Sequence, residues 1–270
     1  MQGTANAASC PVTDDTIRGL WRRAYIKAPA EAPDSEDHET HVYWFQANGL
    51  YADLRIPEGF SKGISAACLA ELPQEDLLAL SACEGFAGWA AVEDGICTWQ
   101  RAINLQGPES GRDIGRLERT PGGLFEYGVD ADFVELWLEQ QIDDRAPEGR
   151  VFTCDGGFWG FLISSPTRFL FACDRPTRKN LALPWKDALA RALTPTDRNQ
   201  LADLFLAEYS FGRIEHDTAV IELSSHPNRV GKVLCDTLSA ASGHLVTHHA
   251  SFDGAALTHH WTVAKLNASR

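Results

Sequence analysis

The sequence lacks the patterns that identify many enzymes at sight. No HExxH, GxSxG, GxGxxG or P-loop pattern occurs in its 270 residues. Their absence argues against zinc proteases, serine hydrolases and proteins that bind dinucleotides or nucleoside triphosphates through these motifs. We therefore expect any activity of the chain to need no cofactor.

Long apolar runs and basic residues are also scarce. No apolar run approaches the roughly 20 residues that span a bilayer, so we expect no membrane partner. The 24 Lys and Arg residues are outnumbered by 37 Asp and Glu residues, which gives a net charge of −13 at pH 7. Such a chain repels phosphate backbones, so we expect no nucleic-acid partner. The apolar fraction of 44% is sufficient for a folded core.

The seven cysteines form no CxxC pair, which argues against a zinc ribbon or a thioredoxin-type redox pair. They are scattered through apolar segments, so we expect reduced, buried thiols. The N-terminal sequence MQGTANAASCPVTDD has neither the basic nor the apolar region of a secretory signal. Both features predict a cytoplasmic protein.

The chain does contain a series of turn signals between β-rich runs. Asn48-Gly49, Asp94-Gly95 and Asp253-Gly254 each separate two such runs, and Asn-Gly and Asp-Gly readily adopt the positive φ angles of tight hairpins. Helical spacing occurs at 64–84 and at 183–209, each time after strand patterns, whereas 131–141 fits either a strand or a short helix.

The polar stretch 143–150 contains Pro and Gly and divides the chain into residues 1–148 and 149–270. The order strands, helix, strands occurs in both parts. We therefore predict a mainly β (α+β) fold with two antiparallel barrel halves and a few covering helices.

The hairpin at 42–56 is the most informative segment. A two-residue Asn48-Gly49 loop pairs Trp44 with Asp53, and alternation then assigns each side chain to a face. One face is apolar: Tyr43, Phe45, Ala47, Leu50, Ala52, Leu54 and Ile56. The other carries Val42, Trp44, Gln46, Tyr51, Asp53 and Arg55. This second face is either a solvated surface with an Asp53–Arg55 salt bridge or the lining of a cavity for a small ligand.

The run VYWFQANGLYADLRIP resembles the WxQxxxxYxDxRxP signature of uncharacterised bacterial proteins with tandem lipocalin-like (calycin) barrels. The similarity continues through EGFAGW, ICTWQRAINLQ and DIGRLE, and more weakly through FLFACDR and EYSFGRI. The resemblance implies two lipocalin-like barrels but supplies no reaction. The matching positions are Trp44, Gln46, Tyr51, Asp53, Arg55, Trp99, Arg101 and Asp113.

These residues suggest a site in the first half. Trp99 and Arg101 share one face of their strand, and a second arginine beside Arg55 implies an anionic or oxyanion-bearing ligand. We expect Trp44, Gln46 and Trp99 to bind the ligand. The candidate catalytic residues are Tyr51, Asp53, Arg55, Arg101, Glu126 and Glu135.

The proton-transfer group is left open among these candidates. We expect Arg55 to lower the pKa of Asp53 and to make it a poor base. Tyr51, or Glu126 or Glu135 if buried, is then the better choice.

Two functions from different classes fit this composition. The first is a cofactor-independent lyase or isomerase that acts by acid–base catalysis on a small aromatic, oxygenated molecule. The alternative is a non-catalytic lipocalin-like protein that binds a small apolar ligand. A small molecule is the expected partner in both, and a homodimer is compatible with either.

Four of the nine histidines form the pairs His248-His249 and His259-His260 around the Asp253-Gly254 turn. A two-residue loop places His248 opposite His259, and a four-residue loop places His249 opposite His260. His248 and His259 are thus weak candidates for half of a metal site, but no third ligand is evident. We favour stacked or solvated histidines and expect no metal.

Overall fold

The computed structural model describes residues 11–28, 36–60, 66–108, 111–176, 181–194, 196–238 and 243–265. The first half contains strands β1 (Gly19–Lys27), β2 (Glu36–Asp37), β3 (His41–Ala47), β4 (Leu50–Ile56), β5 (Glu84–Glu93), β6 (Ile96–Asn104), β7 (Ile114–Thr120), β8 (Gly123–Gly128) and β9 (Val134–Gln140). All neighbouring strands are antiparallel, and β1 pairs with both β3 and β9. These pairings close an eight-stranded barrel, with the short β2 attached to β1.

The predicted hairpin over Asn48-Gly49 is confirmed. Asn48 and Gly49 have φ angles of 52° and 72°, which are the two positive values of a type I′ turn. Trp44 pairs with Asp53, as predicted. The segment 131–141, which sequence left open, forms the strand β9.

The helix expected at 64–84 is interrupted. Its described part contains a 3₁₀ turn at Leu69–Glu71, the helix α1 (Gln74–Ala79) and a second 3₁₀ turn at Leu80–Ala82. Pro73 caps α1 in an extended conformation, because a proline ring cannot continue the preceding turn. The single predicted helix is therefore two 3₁₀ turns and one short α-helix.

The second half contains strands β10 (Glu148–Cys154), β11 (Phe158–Ser164), β12 (Arg168–Cys173), β13 (Glu208–Glu215), β14 (Thr218–Ser224), β15 (Val233–Cys235), β16 (His244–Ala250) and β17 (Ala256–Val263). Helices α2 (Trp185–Leu193) and α3 (Arg198–Leu204) follow its third strand, as α1 follows β4. The hydrogen-bonded order runs from β15 through β14, β13, β12, β11, β10 and β17 to β16. Apart from the short β2, both halves thus have the order three strands, a helical segment, five strands. The predicted mainly β fold with two antiparallel barrels is confirmed.

The two barrels pack through one apolar core. The predicted apolar face of the 42–56 hairpin, including Phe45 and Leu54, lies against Phe161 and Leu170 of the second barrel. Tyr43 stacks on Phe211 with ring centroids 4.1 Å apart. The chain leaves the first sheet at Gln140 and enters the second at Glu148. That residues 1–148 and 149–270 are two separate domains stays a prediction.

The cysteines are free thiols in the part of the chain that the structure describes. Five are buried, Cys154 is half-buried, and Cys10 lies outside the described residues. Among the described helices, none is long and apolar enough to cross a membrane.

Candidate functional site

The second face of the 42–56 hairpin, the one that carries Trp44 and Asp53, lines the interior of the first barrel. Trp44 is buried and packs against Trp21, Trp99 and Trp137, with ring centroids 6.0, 5.7 and 5.6 Å away. These four rings form the floor of the barrel interior. The solvated-surface interpretation of this face is therefore wrong for Trp44, Gln46, Tyr51 and Asp53, which are at most 3% exposed.

A network of charged side chains lies at one end of this interior. Arg55 Nε donates to Asp53 Oδ1 at 2.9 Å, and its Nη1 lies 3.6 Å from Glu135 Oε1. Arg23 Nη1 donates to the same Glu135 oxygen at 2.9 Å, while its Nη2 donates to Asp37 at 2.8 Å. The network therefore links two arginines to one buried carboxylate.

The carboxyl of Glu126 belongs to the same interior. It faces Glu135 across the β8–β9 ladder and accepts a hydrogen bond from Trp137 Nε1 at 3.0 Å. Burial, together with the charge of Glu135, raises the pKa of Glu126 well above its usual range. Burial therefore favours the protonated form of Glu126 more than it is favoured in an exposed glutamate.

Arg55 lowers the pKa of Asp53 as expected, but burial has the larger and opposite effect. The loss of hydration around Asp53 outweighs the attraction and hydrogen bond from Arg55, so its pKa is raised to about 6. A carboxyl group with this pKa is ionised at pH 7 and is a stronger base than an exposed aspartate. The sequence predicted that Glu126 or Glu135 could transfer protons only if buried. Both are buried, with 6% and 2% of their surface exposed.

A cavity of about 20 Å³ lies between these groups, which is room for roughly one water molecule. Its lining is Trp44, Tyr51, Asp53, Arg55, Phe86, Trp99, Asp113, Glu126 and Trp137. A surface depression of about 260 Å³ also includes Asp113 in its lining.

Arg101 lines the depression beside Asp113, which lines both the depression and the cavity. Arg101 Nη2 lies 2.8 Å from Asp113 Oδ2, and its guanidinium lies 3.7 Å from the centre of the Phe86 ring. Arg55 approaches the same ring at 5.0 Å. Both predicted arginines therefore contact Phe86, which holds their cationic groups side by side.

The three predicted ligand-binding residues, Trp44, Gln46 and Trp99, leave no room for a ring between them. Gln46 accepts a hydrogen bond from Trp44 Nε1 at 3.3 Å but is not part of the cavity lining. Its buried amide nitrogen has no hydrogen-bond partner among the described residues. Trp44 and Trp99 pack edge to face on each other, so no gap for a ring exists between them.

The sequence interpretation missed Arg23, Phe86 and Trp137. Arg23 follows Trp21 at a spacing of two on a predicted strand, which is the signal that could have identified it as inward-facing. The same alternation relates Trp137 to Glu135. What the sequence does not give is the pairing of β1 with β9, which brings Arg23 to Glu135.

The histidine hairpin has a different register from both predictions. His248 pairs with Thr258, and His259 pairs with Thr247. His248 therefore points outward, where it contacts Asp236, and it does not share a face with His259. The close histidine pair is His249 and His259, with ring centroids 4.6 Å apart. Among the described residues, no group of three His, Cys, Asp or Glu side chains could hold a metal ion.

The inward-facing His249 belongs to a buried polar cluster of the second barrel. Its Nδ1 lies 2.8 Å from Glu208 Oε2, and its Nε2 lies 2.6 Å from Thr247 Oγ1. Trp261 Nε1 donates to Thr247 Oγ1 at 2.7 Å, and Arg229 Nε donates to Glu208 Oε1 at 3.3 Å. Through these contacts the buried polar groups of the cluster provide hydrogen-bond partners for one another.

No family model matches the chain, and no curated protein matches it. A crystal structure of an uncharacterised protein from Saccharomyces cerevisiae is similar with a TM-score of 0.48 and 12% sequence identity. The similarity covers 92% of this chain and 98% of the yeast chain. A likeness of this degree carries no argument about the function.

Proposed function

We propose that the first barrel is a cofactor-independent lyase or isomerase that performs acid–base catalysis on a small, oxygenated aromatic molecule. The observation that carries the proposal is the pair of buried carboxyl groups, Asp53 and Glu126, on one cavity beside Arg55. Burial raises the pKa of Asp53 to about 6 and the pKa of Glu126 well above its usual range. Such a pair supplies a base and an acid within one site.

Each residue then has a defined role. Asp53, oriented by Arg55, takes a proton from a carbon next to a carbonyl group. Arg55 stabilises the oxyanion that forms, because a fixed guanidinium interacts strongly in a site that excludes water. Glu126 returns a proton to the product. Tyr51 is the alternative proton carrier, and Glu135 orients Arg55 from the far side.

The cavity is too small for a ring, so the ring of the substrate lies in the outer depression. Arg101 contacts it there, and the reacting end points inward past Phe86 toward Asp53. Trp44 and Trp99 form the inner wall at which the substrate stops. Gln46 supports Trp44 through the bond to its indole nitrogen.

The test measures the half-reaction that lyases and isomerases of this type share. Phenylacetone is incubated with the protein in deuterated water, and deuterium at the carbon next to the carbonyl is followed by NMR. We expect Asp53→Asn and Glu126→Gln to lower the exchange rate by about 10²–10⁴-fold. The matched control is Arg116→Ala, since Arg116 forms an exposed pair with Glu118 and lines neither the cavity nor the depression; we expect it to leave the rate unchanged.

Two outcomes contradict the proposal. If exchange survives Tyr51→Phe, Arg55→Ala and Arg101→Ala, the site is wrong. If phenylacetone or a related ketone binds without any exchange, the alternative holds: a non-catalytic protein that binds a small apolar ligand.

We also propose that the chain belongs to the tandem calycin proteins whose signature it resembles and that it acts in the cytoplasm, alone or as a homodimer.

A further inference from the structure

A cavity of the second barrel lies away from the proposed catalytic site. It has a volume of about 400 Å³ and opens where β10 begins and β11 ends. Its inner wall is apolar and includes Phe152, Leu162 and Leu245, which are at most 5% exposed. Ile214 and Leu238 extend this wall toward the opening. Pockets of this size and composition are typical of sites for small molecules.

The first barrel explains why this end is open. At its corresponding end, where β1 begins beside the end of β3, the segment before β1 places Val12 and Ile17 in the interior. Trp21 Nε1 fastens this segment by donating to the Ile17 carbonyl at 2.8 Å. In the second barrel the residues before β10 lie along the rim, with Arg145 and Ala146 in the wall of the cavity. The space that Val12 and Ile17 fill in one barrel is thus left empty in the other.

The rim provides the polar contacts. Arg150 enters the cavity wall from β10 and pairs with the exposed Glu148 at 3.0 Å. Arg145 makes no ion pair with any residue that the structure describes. Ser164 lies on the neighbouring strand, paired with Glu148. Asp217 and His244 complete the rim. An anionic head group can therefore bind Arg145 and compete with Glu148 for Arg150, because an exposed ion pair is weak.

We propose that the second barrel binds an amphipathic carboxylate, with its apolar body in the cavity and its carboxylate against Arg145 and Arg150. A cavity of 400 Å³ holds about a dozen non-hydrogen atoms, judged from the roughly 30 Å³ that a water molecule occupies in the liquid. Decanoate has this size and is the probe. The proposal is independent of catalysis in the first barrel.

The experiment is a calorimetric titration with decanoate, decanol and decylamine. Decanoate is expected to bind best, and Arg145→Ala/Arg150→Ala is expected to weaken it about tenfold while leaving decanol unchanged. Arg213→Ala is the control, since Arg213 forms an exposed ion pair with Glu215 on the same barrel and does not line the cavity. Ile214→Trp is expected to abolish binding of all three compounds, whereas Ile214→Val retains it.

Three results overturn the proposal: tighter binding of decylamine than of decanoate, unchanged decanoate affinity in the double arginine variant, or full binding by a folded Ile214→Trp variant. Circular dichroism of each variant separates a filled cavity from an unfolded barrel. Asp53→Asn is titrated in parallel. It is expected to bind decanoate normally even if it abolishes deuterium exchange, which keeps the two proposals distinguishable.

Discussion

The two barrels share a framework but differ in the groups they enclose. In β8–β9, Leu124 pairs with Trp137 and Glu126 with Glu135. In β16–β17, Leu245 pairs with Trp261 and Thr247 with His259. The inward-facing Trp donates from Nε1 in each case, to Glu126 in the first barrel and to Thr247 in the second.

The first strand after the helical segment is also equivalent in the two barrels. Glu84 begins β5 and Glu208 begins β13, and four residues later each strand has a glycine at an irregularity of the ladder. A Cβ on Gly88 or on Gly212 would lie 2.0 Å from a backbone oxygen of the next strand. Both halves therefore need glycine at this position. The comparison shows that the tryptophan and glycine positions are kept, whereas the pair Glu126 and Glu135 of the first barrel is replaced by Thr247 and His259 in the second.

Removing one member of the first barrel's network has the largest expected effect. Arg23→Met leaves Glu135 without its closest cation, and both side chains are at most 5% exposed. Leaving a buried charge without its partner costs about 3–5 kcal/mol of the free energy of unfolding. Denaturation in urea measures this loss.

The exposed pair Arg112–Asp130 gives the matched control. Its side chains are 70% and 45% exposed, so Arg112→Met is expected to change stability by less than about 1 kcal/mol. Equal losses in Arg23→Met and Arg112→Met would show that the buried network does not hold the first barrel together.

The response to pH should have opposite signs in the two barrels. Burial lowers the pKa of His226 and of His259 to about 4 from 6.5. The unfolded chain then binds more protons between these values, so the second barrel loses stability as pH falls from 6.5 through 4. Asp53, with its pKa raised from 3.8 to about 6, has the reverse effect. Its contribution is present at low pH and is lost as pH rises through 6.

Hydrogen exchange followed by mass spectrometry resolves the two barrels separately. After correction for intrinsic rates, peptides of β13 and β16 should lose protection between pH 7 and about 4.5, by up to about 3 kcal/mol for His226. Peptides of β4 should gain protection over the same range. His226→Phe should reduce the pH dependence of protection in β13 and β16, and Asp53→Asn should reduce it in β4. Parallel responses of both barrels in the unmodified protein would refute this assignment.

Local turn chemistry explains which parts of the fold could be predicted from the sequence. Asn48-Gly49 forms a two-residue loop, and the register of β3–β4 follows from it. Asp253-Gly254 lies in a longer loop instead, in which the Ser251 amide donates to the Ala255 carbonyl at 2.9 Å. The resulting shift of one residue turns His248 outward and His249 inward.

The same limit applies to the candidate site. Alternation along one hairpin correctly groups Trp44, Tyr51 and Asp53, because it depends only on neighbouring residues. The contacts of Arg23 with Glu135 depend on barrel closure between strands over 100 residues apart. The pKa of Asp53 depends on burial, which the adjacent Arg55 in the sequence does not reveal.

The smallest expected effect concerns equivalent turns of the two barrels. Asp94-Gly95 joins β5 to β6 with φ angles of 50° and 76°, and His216-Asp217 joins β13 to β14 with 49° and 67°. Glycine adopts such angles without the strain of a side chain. Asp217→Gly should therefore stabilise the second barrel by about 1 kcal/mol, and Gly95→Asp should destabilise the first by a similar amount, both measured by urea denaturation. Asp217 also lies on the rim of the 400 Å³ cavity, so removing its negative charge should increase decanoate affinity and leave decanol unchanged. A stabilised Asp217→Gly variant that binds decanoate more weakly would separate the two effects and show that Asp217 contributes to the binding site.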